Sequence, residues 1–219
     1  MQQYGNRNDI VFINLHDDEF TSVDAARILL ETEGGMLIEV ENDLQRIINF
    51  QLGRYKYSVD PNRIFSPKGI VKSLSEFGRN SEKATQEVAK FGQRILQLIP
   101  KNTRCIIALH NNTPDLFSAG TYTIGSKRAK EAKKVFINPV QDADDFFLTT
   151  DNILYEKLAN HGYNTILQDN INCNDDGSLS VWCGRRNIRY VNCETEHGKT
   201  DQYYEMIRTL MDLLSKENL

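Results

Sequence analysis

The chain has 219 residues, of which 40% are apolar, and a formal net charge of -4 at pH 7. This length and apolar content fit one domain with a sizeable core, which we expect to span residues 1–219. The lack of a basic excess argues against a nucleic-acid partner, and without a run of about 18 apolar residues we expect no transmembrane segment.

The cysteines and the N-terminus bear on the cellular compartment. No two cysteines form a C-x-x-C pair, and Cys105 and Cys193 lie in strand-like runs, which favours buried free thiols and a reducing compartment. The first residues, MQQYGNRND, lack the regions of a signal peptide. We therefore take the cytoplasm as the default. Export is the alternative if a leader has been trimmed, and a Cys173–Cys183 bridge would then become an option.

The first elements alternate between strand and helix patterns. The run DIVFINL is typical of a short strand that is buried on both faces, and a helical pattern follows it from Ser22 to Gly34. The segments GMLIEVE and RIINFQ indicate two strands, which we interpret as a hairpin joined at Asn42 and Asp43.

The middle of the chain begins with a polar connection over 54–70 and continues with two helices, at about 67–78 and at 81–98. TRCIIALH then indicates a second buried strand, which ends in His110. The stretch 111–133 is rich in Asn, Thr, Gly and charged residues, so we expect a mobile surface loop there.

The last third repeats the alternation. TTDNILYEKLANHG indicates a helix, and YNTILQ, SLSVWCG and IRYVNCE indicate three strands. An amphipathic helix, TDQYYEMIRTLMDLLSK, follows them. Strands that alternate with helices predict an α/β sandwich around a mixed, largely parallel sheet.

Polar side chains end three of the predicted strands. His16 and Glu19 follow the first strand, His110 ends a later one, and Glu194 ends the last. In open α/β sheets, ligands bind at the carboxyl ends of strands. An H-x-x-E pair is common by chance and a lone histidine often belongs to the core, but two of the four histidines end buried strands. Two imidazoles and one carboxylate suit a catalytic zinc with one position left for water, and a further carboxylate could accept the proton of that water.

The motif DPNRIF places Asn62 and Arg63 side by side in a loop. A guanidinium can bind both oxygens of a terminal carboxylate in one plane, and a neighbouring amide can assist it. The alternative is structural, with Asp60 and Pro61 forming a turn and Arg63 forming a surface ion pair.

Taken in order, these motifs resemble the zinc carboxypeptidase (carboxypeptidase A-like) superfamily. They are H-x-x-E after a first buried strand, D-x-N-R-x-F, a strand that ends in His, and a late strand that ends in Glu. The resemblance implies a single-domain, three-layer α/β/α sandwich of the zinc-carboxypeptidase type. It also implies a zinc ion (Zn2+) held by His16, Glu19 and His110.

The same resemblance assigns roles to further residues. Asn62 and Arg63 would bind the carboxylate of the substrate, and Glu194 would be the catalytic base, with Glu196 as its close competitor. For the second substrate arginine of the superfamily, the candidates are Arg54 and Arg46.

This sequence also departs from the pattern of the superfamily. Asp17 and Asp18 fill the middle of the H-x-x-E motif, where we expect one of them to orient an imidazole. The mobile tyrosine of the superfamily is matched only by Tyr122 in the predicted loop. The chain is also shorter than a digestive carboxypeptidase, and in this it is more similar to the small amidohydrolase and bacterial cell-wall-peptide branches.

The leading hypothesis is a zinc-dependent hydrolase that cleaves a peptide or isopeptide bond next to a free carboxylate, in small or cell-wall peptides. An N-acyl amino-acid deacylase, similar to N-formylglutamate amidohydrolase, is the alternative enzyme and would use the same metal ligands. The non-enzyme alternative is a metal-free peptide-binding module. The expected partner is a small carboxylate-bearing peptide or an N-acyl amino acid.

Overall fold

A computed structural model describes residues 1–114 and 117–216, which form ten β-strands and six α-helices. The strands are β1 (Gln2–Tyr4), β2 (Ile10–Asn14), β3 (Gly35–Glu39), β4 (Ile48–Leu52), β5 (Tyr55–Val59), β6 (Cys105–Asn112), β7 (Ala132–Phe136), β8 (Phe146–Thr149), β9 (Asn164–Gln168) and β10 (Tyr190–Glu196). The helices are α1 (Phe20–Glu33), α2 (Pro67–Glu76), α3 (Glu82–Gln97), α4 (Asn152–Asn160), α5 (Leu179–Gly184) and α6 (Thr200–Ser215).

Eight of the described strands form one mixed sheet in the order β1-β3-β2-β6-β10-β8-β9-β7. The pairs β3/β2, β2/β6, β6/β10 and β8/β9 are parallel, and the pairs β1/β3, β10/β8 and β7/β9 are antiparallel. Because β2, β6 and β10 are parallel neighbours, their carboxyl ends meet at one edge of the sheet.

Helices cover both faces of this sheet. Side chains of α2, α3 and α5 pack in one hydrophobic cluster, the α2–α3–α5 core, and those of α1, α4 and α6 pack in another, the α1–α4–α6 core. Along β2, Val11 and Ile13 enter the first core and Ile10 and Phe12 enter the second, since successive strand residues point to opposite faces. The predicted three-layer α/β/α sandwich is confirmed. None of the described helices combines the length and apolar character needed to cross a membrane.

The hairpin predicted at Asn42 and Asp43 is wrong. β3 enters the large sheet, whereas β4 pairs with β5 in a separate two-stranded sheet. The chain between β3 and β4 turns differently because the Asp17 carboxylate accepts hydrogen bonds from the backbone N–H groups of Asn42 and Leu44 (2.6 and 2.9 Å). The segment 54–70 is therefore not a plain connection, since it contains β5.

The segment SLSVWCG is also not the predicted strand, because it forms α5. Its buried residues Leu179, Val181 and Cys183 alternate as in a strand. However, the Ser178 hydroxyl accepts a hydrogen bond from the Val181 N–H and caps a helix instead. Of the predicted loop over 111–133, residues 115–116 lie outside the described residues. The described part is only partly the expected surface loop, since Tyr122 is buried in a short 3-10 turn.

Candidate metal centre and cavity

The predicted site residues meet at the carboxyl ends of β2, β6 and β10. The backbone N–H of Glu19 donates to the His16 carbonyl (3.0 Å), and this turn brings both side chains back over the end of β2. His110 and Glu194 are register partners on β6 and β10. The exposed fractions of His16, Glu19, His110 and Glu194 are only 1%, 1%, 5% and 6%.

His16, Glu19 and His110 form a cluster whose candidate ligand atoms all lie within 4.8 Å of one another. Nδ1 of His110 is 2.8 Å from Oε2 of Glu19, and Nδ1 of His16 is 3.3 Å from Oε1. Two ligands that are each about 2.1 Å from a tetrahedral zinc ion are about 3.4 Å apart, so the His16–Glu19 separation suits zinc. His110 and Glu19 lie at hydrogen-bonding distance and would move slightly apart to share the ion.

An orphaned nitrogen supports the same fit. Nδ1 of His16 is buried and has no hydrogen-bond partner among the described residues, although it lies 3.3 Å from Oε1 of Glu19. Nε2 of His16 lies 2.8 Å from Oδ1 of Asp60. If Nε2 carries the proton, the lone pair of Nδ1 faces the cluster, as a metal ligand requires.

Asp60, and not Asp17 or Asp18, therefore orients the imidazole of His16. Burial by itself would lower the pKa of His16, but the carboxylates of Glu19 and Asp60 outweigh this effect and raise the pKa to about 9. Burial likewise opposes ionisation of Asp60, yet its hydrogen bond with His16 holds the pKa of this carboxyl well below its usual range.

Tyr203 fixes His110 from behind the cluster. The backbone N–H of His110 donates to the Tyr203 hydroxyl (3.1 Å), and that hydroxyl donates to the Cys193 carbonyl on β10 (2.8 Å). This buried link holds the end of β6 against the end of β10, and it therefore sets the position of His110 relative to Glu194.

Glu194 faces the same cavity as the cluster. The Asn192 amide donates to Oε1 of Glu194 (2.9 Å). Burial raises the pKa of the Glu194 carboxyl, although the nearby imidazole of His110 opposes the shift. A raised pKa suits a carboxylate that accepts and releases a proton. Glu196 does not line the cavity and forms an ion pair with Lys199 (2.8 Å).

The cavity has a volume of about 460 Å³, and three arginines of the described residues line it, namely Arg46, Arg63 and Arg128. Arg46 forms an ion pair with Glu19. Arg54 is not at the cavity: it lies in the turn between β4 and β5, and its guanidinium donates to the Tyr55 hydroxyl (2.8 Å). Of the two arginines considered from the sequence, only Arg46 is therefore close to the cluster.

Asn62 and Arg63 both line the cavity. The Asn62 amide oxygen accepts from the Leu179 N–H (3.1 Å), and its nitrogen is 3.4 Å from Nε2 of His110. The Arg63 guanidinium donates to the Asn62 carbonyl (2.7 Å) and lies 3.7 Å from Oδ2 of Asp176. Both side chains are thus held in place beside the cluster of His16, Glu19 and His110.

Sequence reasoning missed Asn192, Arg128 and the role of Asp60. Asp60 belongs to a motif that was recognised, so its place next to Asn62 was the available signal. Asn192 lies two residues before Glu194 on the same strand face, which period-2 alternation could have indicated. Arg128 lies in the irregular stretch 111–133, where no periodic pattern marks it.

No protein-family model matches the chain, and no curated protein sequence matches it. A solved structure to which the chain is similar is the crystal structure of murein-tripeptide amidase MpaA from Escherichia coli O157. The two chains are 15% identical with a TM-score of 0.42, and the match covers 99% of this chain and 84% of the amidase chain. At this level of similarity, the function of the chain has to follow from its own site residues.

Proposed function

We propose that the chain is a zinc-dependent hydrolase of the zinc carboxypeptidase superfamily, which cleaves an amide bond next to a free carboxylate. One observation carries the proposal: the buried Glu194 carboxylate lies beside the buried cluster of His16, Glu19 and His110 in one cavity. Two imidazoles and one carboxylate leave an open position on a tetrahedral zinc, as catalytic sites do.

The chemistry divides between the metal and the side chains around it. Zinc, when bound, supplies a Lewis acid that polarises the amide carbonyl and makes water nucleophilic near neutral pH. Glu194 accepts a proton from the attacking water as the C–O bond forms, and it gives this proton to the leaving nitrogen as the C–N bond breaks. Asn192 holds one Glu194 oxygen by its hydrogen bond. Arg46 lines the cavity in an ion pair with Glu19, and its positive charge favours the negative charge that develops on the carbonyl oxygen.

Arg63 is the proposed receptor for the free carboxylate of the substrate. Its guanidinium is anchored by the hydrogen bond to the Asn62 carbonyl and keeps further N–H donors for two carboxylate oxygens. Because Asn62 also lies close to His110, this receptor is next to the metal cluster, as cleavage of the neighbouring amide bond requires.

The test combines metal analysis with two glutamate variants. We expect about one zinc per wild-type chain and loss of most of it in His110→Ala, which removes a ligand. Glu194→Gln should keep its zinc but lose activity by roughly 100-fold or more, because an amide cannot accept the proton. Glu196→Gln is the matched control, and it should stay active.

The substrates for this test are peptides with a free C-terminal carboxylate, the same peptides amidated, and N-acyl amino acids. Cleavage of the N-acyl amino acids but not of the peptides would identify a deacylase. Full zinc occupancy in His110→Ala, or an active Glu194→Gln, would contradict the proposed site. A metal-free protein that binds the peptides without cleaving them would be a binding module.

A further inference from the structure

Arg128 is one of the three arginines that line the cavity, and neighbouring side chains hold it in place. Its guanidinium lies 5.2 Å from the ring centre of Phe117 and 5.9 Å from that of Tyr122. It also donates a hydrogen bond to Glu131 (2.9 Å). An arginine that is stacked on aromatic rings loses little freedom when it binds a ligand, so its planar set of donors is preorganised.

Arg128 and Arg63 line the same cavity as Asp176. Oδ2 of Asp176 lies 3.7 Å from Nη1 of Arg63. Burial opposes the charge of Arg128, but the charges of Tyr122, Glu131 and Asp176 outweigh it and raise the pKa of Arg128. The guanidinium groups of Arg63 and Arg128 and the carboxylate of Asp176 all line the same cavity.

The acidic groups beside these arginines already accept hydrogen bonds from the chain. Oδ1 of Asp176 accepts from the backbone N–H and the hydroxyl of Ser178 (2.9 and 2.6 Å), and Glu131 accepts from Arg128. Each guanidinium carries five N–H donors. Among the described residues, the side chain of Arg63 donates one hydrogen bond, to Asn62, and that of Arg128 donates one, to Glu131. Both guanidinium groups therefore keep unused N–H donors, which favours a ligand that carries two groups of acceptor atoms.

The geometry points to Arg128 as a specificity-determining residue that binds a second carboxylate of the substrate. The substrate class is then an amide of a dicarboxylic amino acid, of the glutamate or aspartate type, whose two carboxylates contact Arg63 and Arg128. This inference rests on the proposed function, which gives the first carboxylate to Arg63. The competing possibility is a cationic side chain held by Asp176 and Glu131, and the experiment separates the two.

The first experiment compares N-acetyl-alanyl dipeptides that end in Glu, Gln or Lys. The wild-type protein should cleave the Glu peptide with a kcat/KM about 10- to 100-fold above that of the Gln peptide, as for hydrogen bonds to a charged group. Arg128→Gln should bring this ratio close to one. Arg186→Gln is the matched control, since this arginine also lies over an aromatic ring, that of Trp182 (4.5 Å), but does not line the cavity.

The second experiment measures binding without catalysis. Calorimetry with EDTA-treated protein compares L-glutamate with L-glutamine, and the preference for glutamate should be lost in Arg128→Gln. If no peptide is cleaved but this Arg128-dependent preference persists, the proposed hydrolase is wrong and the carboxylate site remains. Equal cleavage of the Glu and Gln peptides and equal binding of glutamate and glutamine by the wild-type protein would overturn the inference. Faster cleavage of the Lys peptide would overturn it as well. Both of these outcomes are independent of how well the variant folds.

Discussion

The hydrogen bond between Asp60 and His16 determines which imidazole nitrogen can face a metal. Oδ1 of Asp60 lies 2.8 Å from Nε2 of His16 and also accepts from the Asn62 N–H (2.7 Å). The carboxylate therefore fixes both the tautomer of His16 and the start of the loop that carries Asn62. Partners of this kind raise the basicity of the ligand as well as orienting it.

We expect Asp60→Ala to weaken zinc binding by about 10- to 100-fold, since the imidazole of His16 loses its orienting carboxylate. Asp60→Asn keeps an acceptor oxygen and should fall between this variant and the wild type. Zinc affinity is measured by competition with a chromophoric chelator. The control is Asp24→Ala, because Asp24 lies on α1 with 56% of its side chain exposed. Wild-type affinity in Asp60→Ala would show that Asp60 has no part in holding the ligand.

At the residue scale, the sequence could predict side chains that end buried strands but not the contacts between distant loops. His16 and His110 stand out because each follows an apolar run, and the parallel order of β2 and β6 brings them together. Asp17 and Asp18 were the expected partners of His16 because they are adjacent to it. The actual partner, Asp60, is 44 residues away, and only the folded loop brings it close.

At the element scale, the cavity-lining loop that carries Arg63 depends on a close approach of two backbone segments. A Cβ atom on Gly69, in the first turn of α2, would lie 2.3 Å from the Cα of Gly177 and 2.6 Å from the carbonyl oxygen of Arg63. The Phe65 N–H donates to the Gly177 carbonyl (2.9 Å), so the two segments are also hydrogen-bonded. Only glycine fits at position 69 without moving the loop.

Gly69→Ala should therefore lower the free energy of unfolding by roughly 1–3 kcal/mol, as overpacking does. For a chain of this size, the melting temperature should fall by about 2–4 °C for each kcal/mol. Binding of carboxylate-bearing substrates should weaken as well, since the new methyl group displaces the backbone of Arg63.

Gly120→Ala is the control for this prediction. The nearest atom to its new Cβ would be the Ser118 hydroxyl oxygen at 3.4 Å, an ordinary contact. Urea denaturation of both variants measures the effect. Equal stability of Gly69→Ala and Gly120→Ala would mean that the loop around Gly177 moves without cost.

Long periodic segments were the predictable elements, and short ones were not. The helical patterns that became α2, α3 and α6 span several turns, so their apolar stripes are clear. α5 has only six residues, and its buried positions also fit a strand until the cap at Ser178 decides between them. β3 and β4 were paired wrongly because neighbours along the chain often pair, whereas here β3 lies between β1 and β2 in the large sheet.

At the scale of the whole molecule, the two cores share one sheet. Each central strand sends alternate side chains to the α2–α3–α5 core and to the α1–α4–α6 core. Unfolding of one helix layer alone would expose one face of the central strands. The other helix layer packs against the opposite face of the same strands, so it would lose its support. We therefore expect both cores to unfold in one cooperative transition, as the prediction of a single domain over residues 1–219 requires.

The four cysteines are buried and form no disulfide bonds with one another, and they provide the measurement. Cys183 belongs to the α2–α3–α5 core and Cys193 to the α1–α4–α6 core, and burial raises the pKa of both thiols. Neither should react with a thiol reagent in the native protein, because the reagent requires an accessible thiolate. In a denaturant series followed by mass spectrometry, both should become labelled at the same midpoint, which should coincide with the loss of circular dichroism. Two separate midpoints would divide the chain into independently stable parts. If the protein is fully denatured without reductant, the thiol reagent should label all four cysteines. Labelling of only two cysteines would reveal a Cys173–Cys183 bridge and an oxidising compartment.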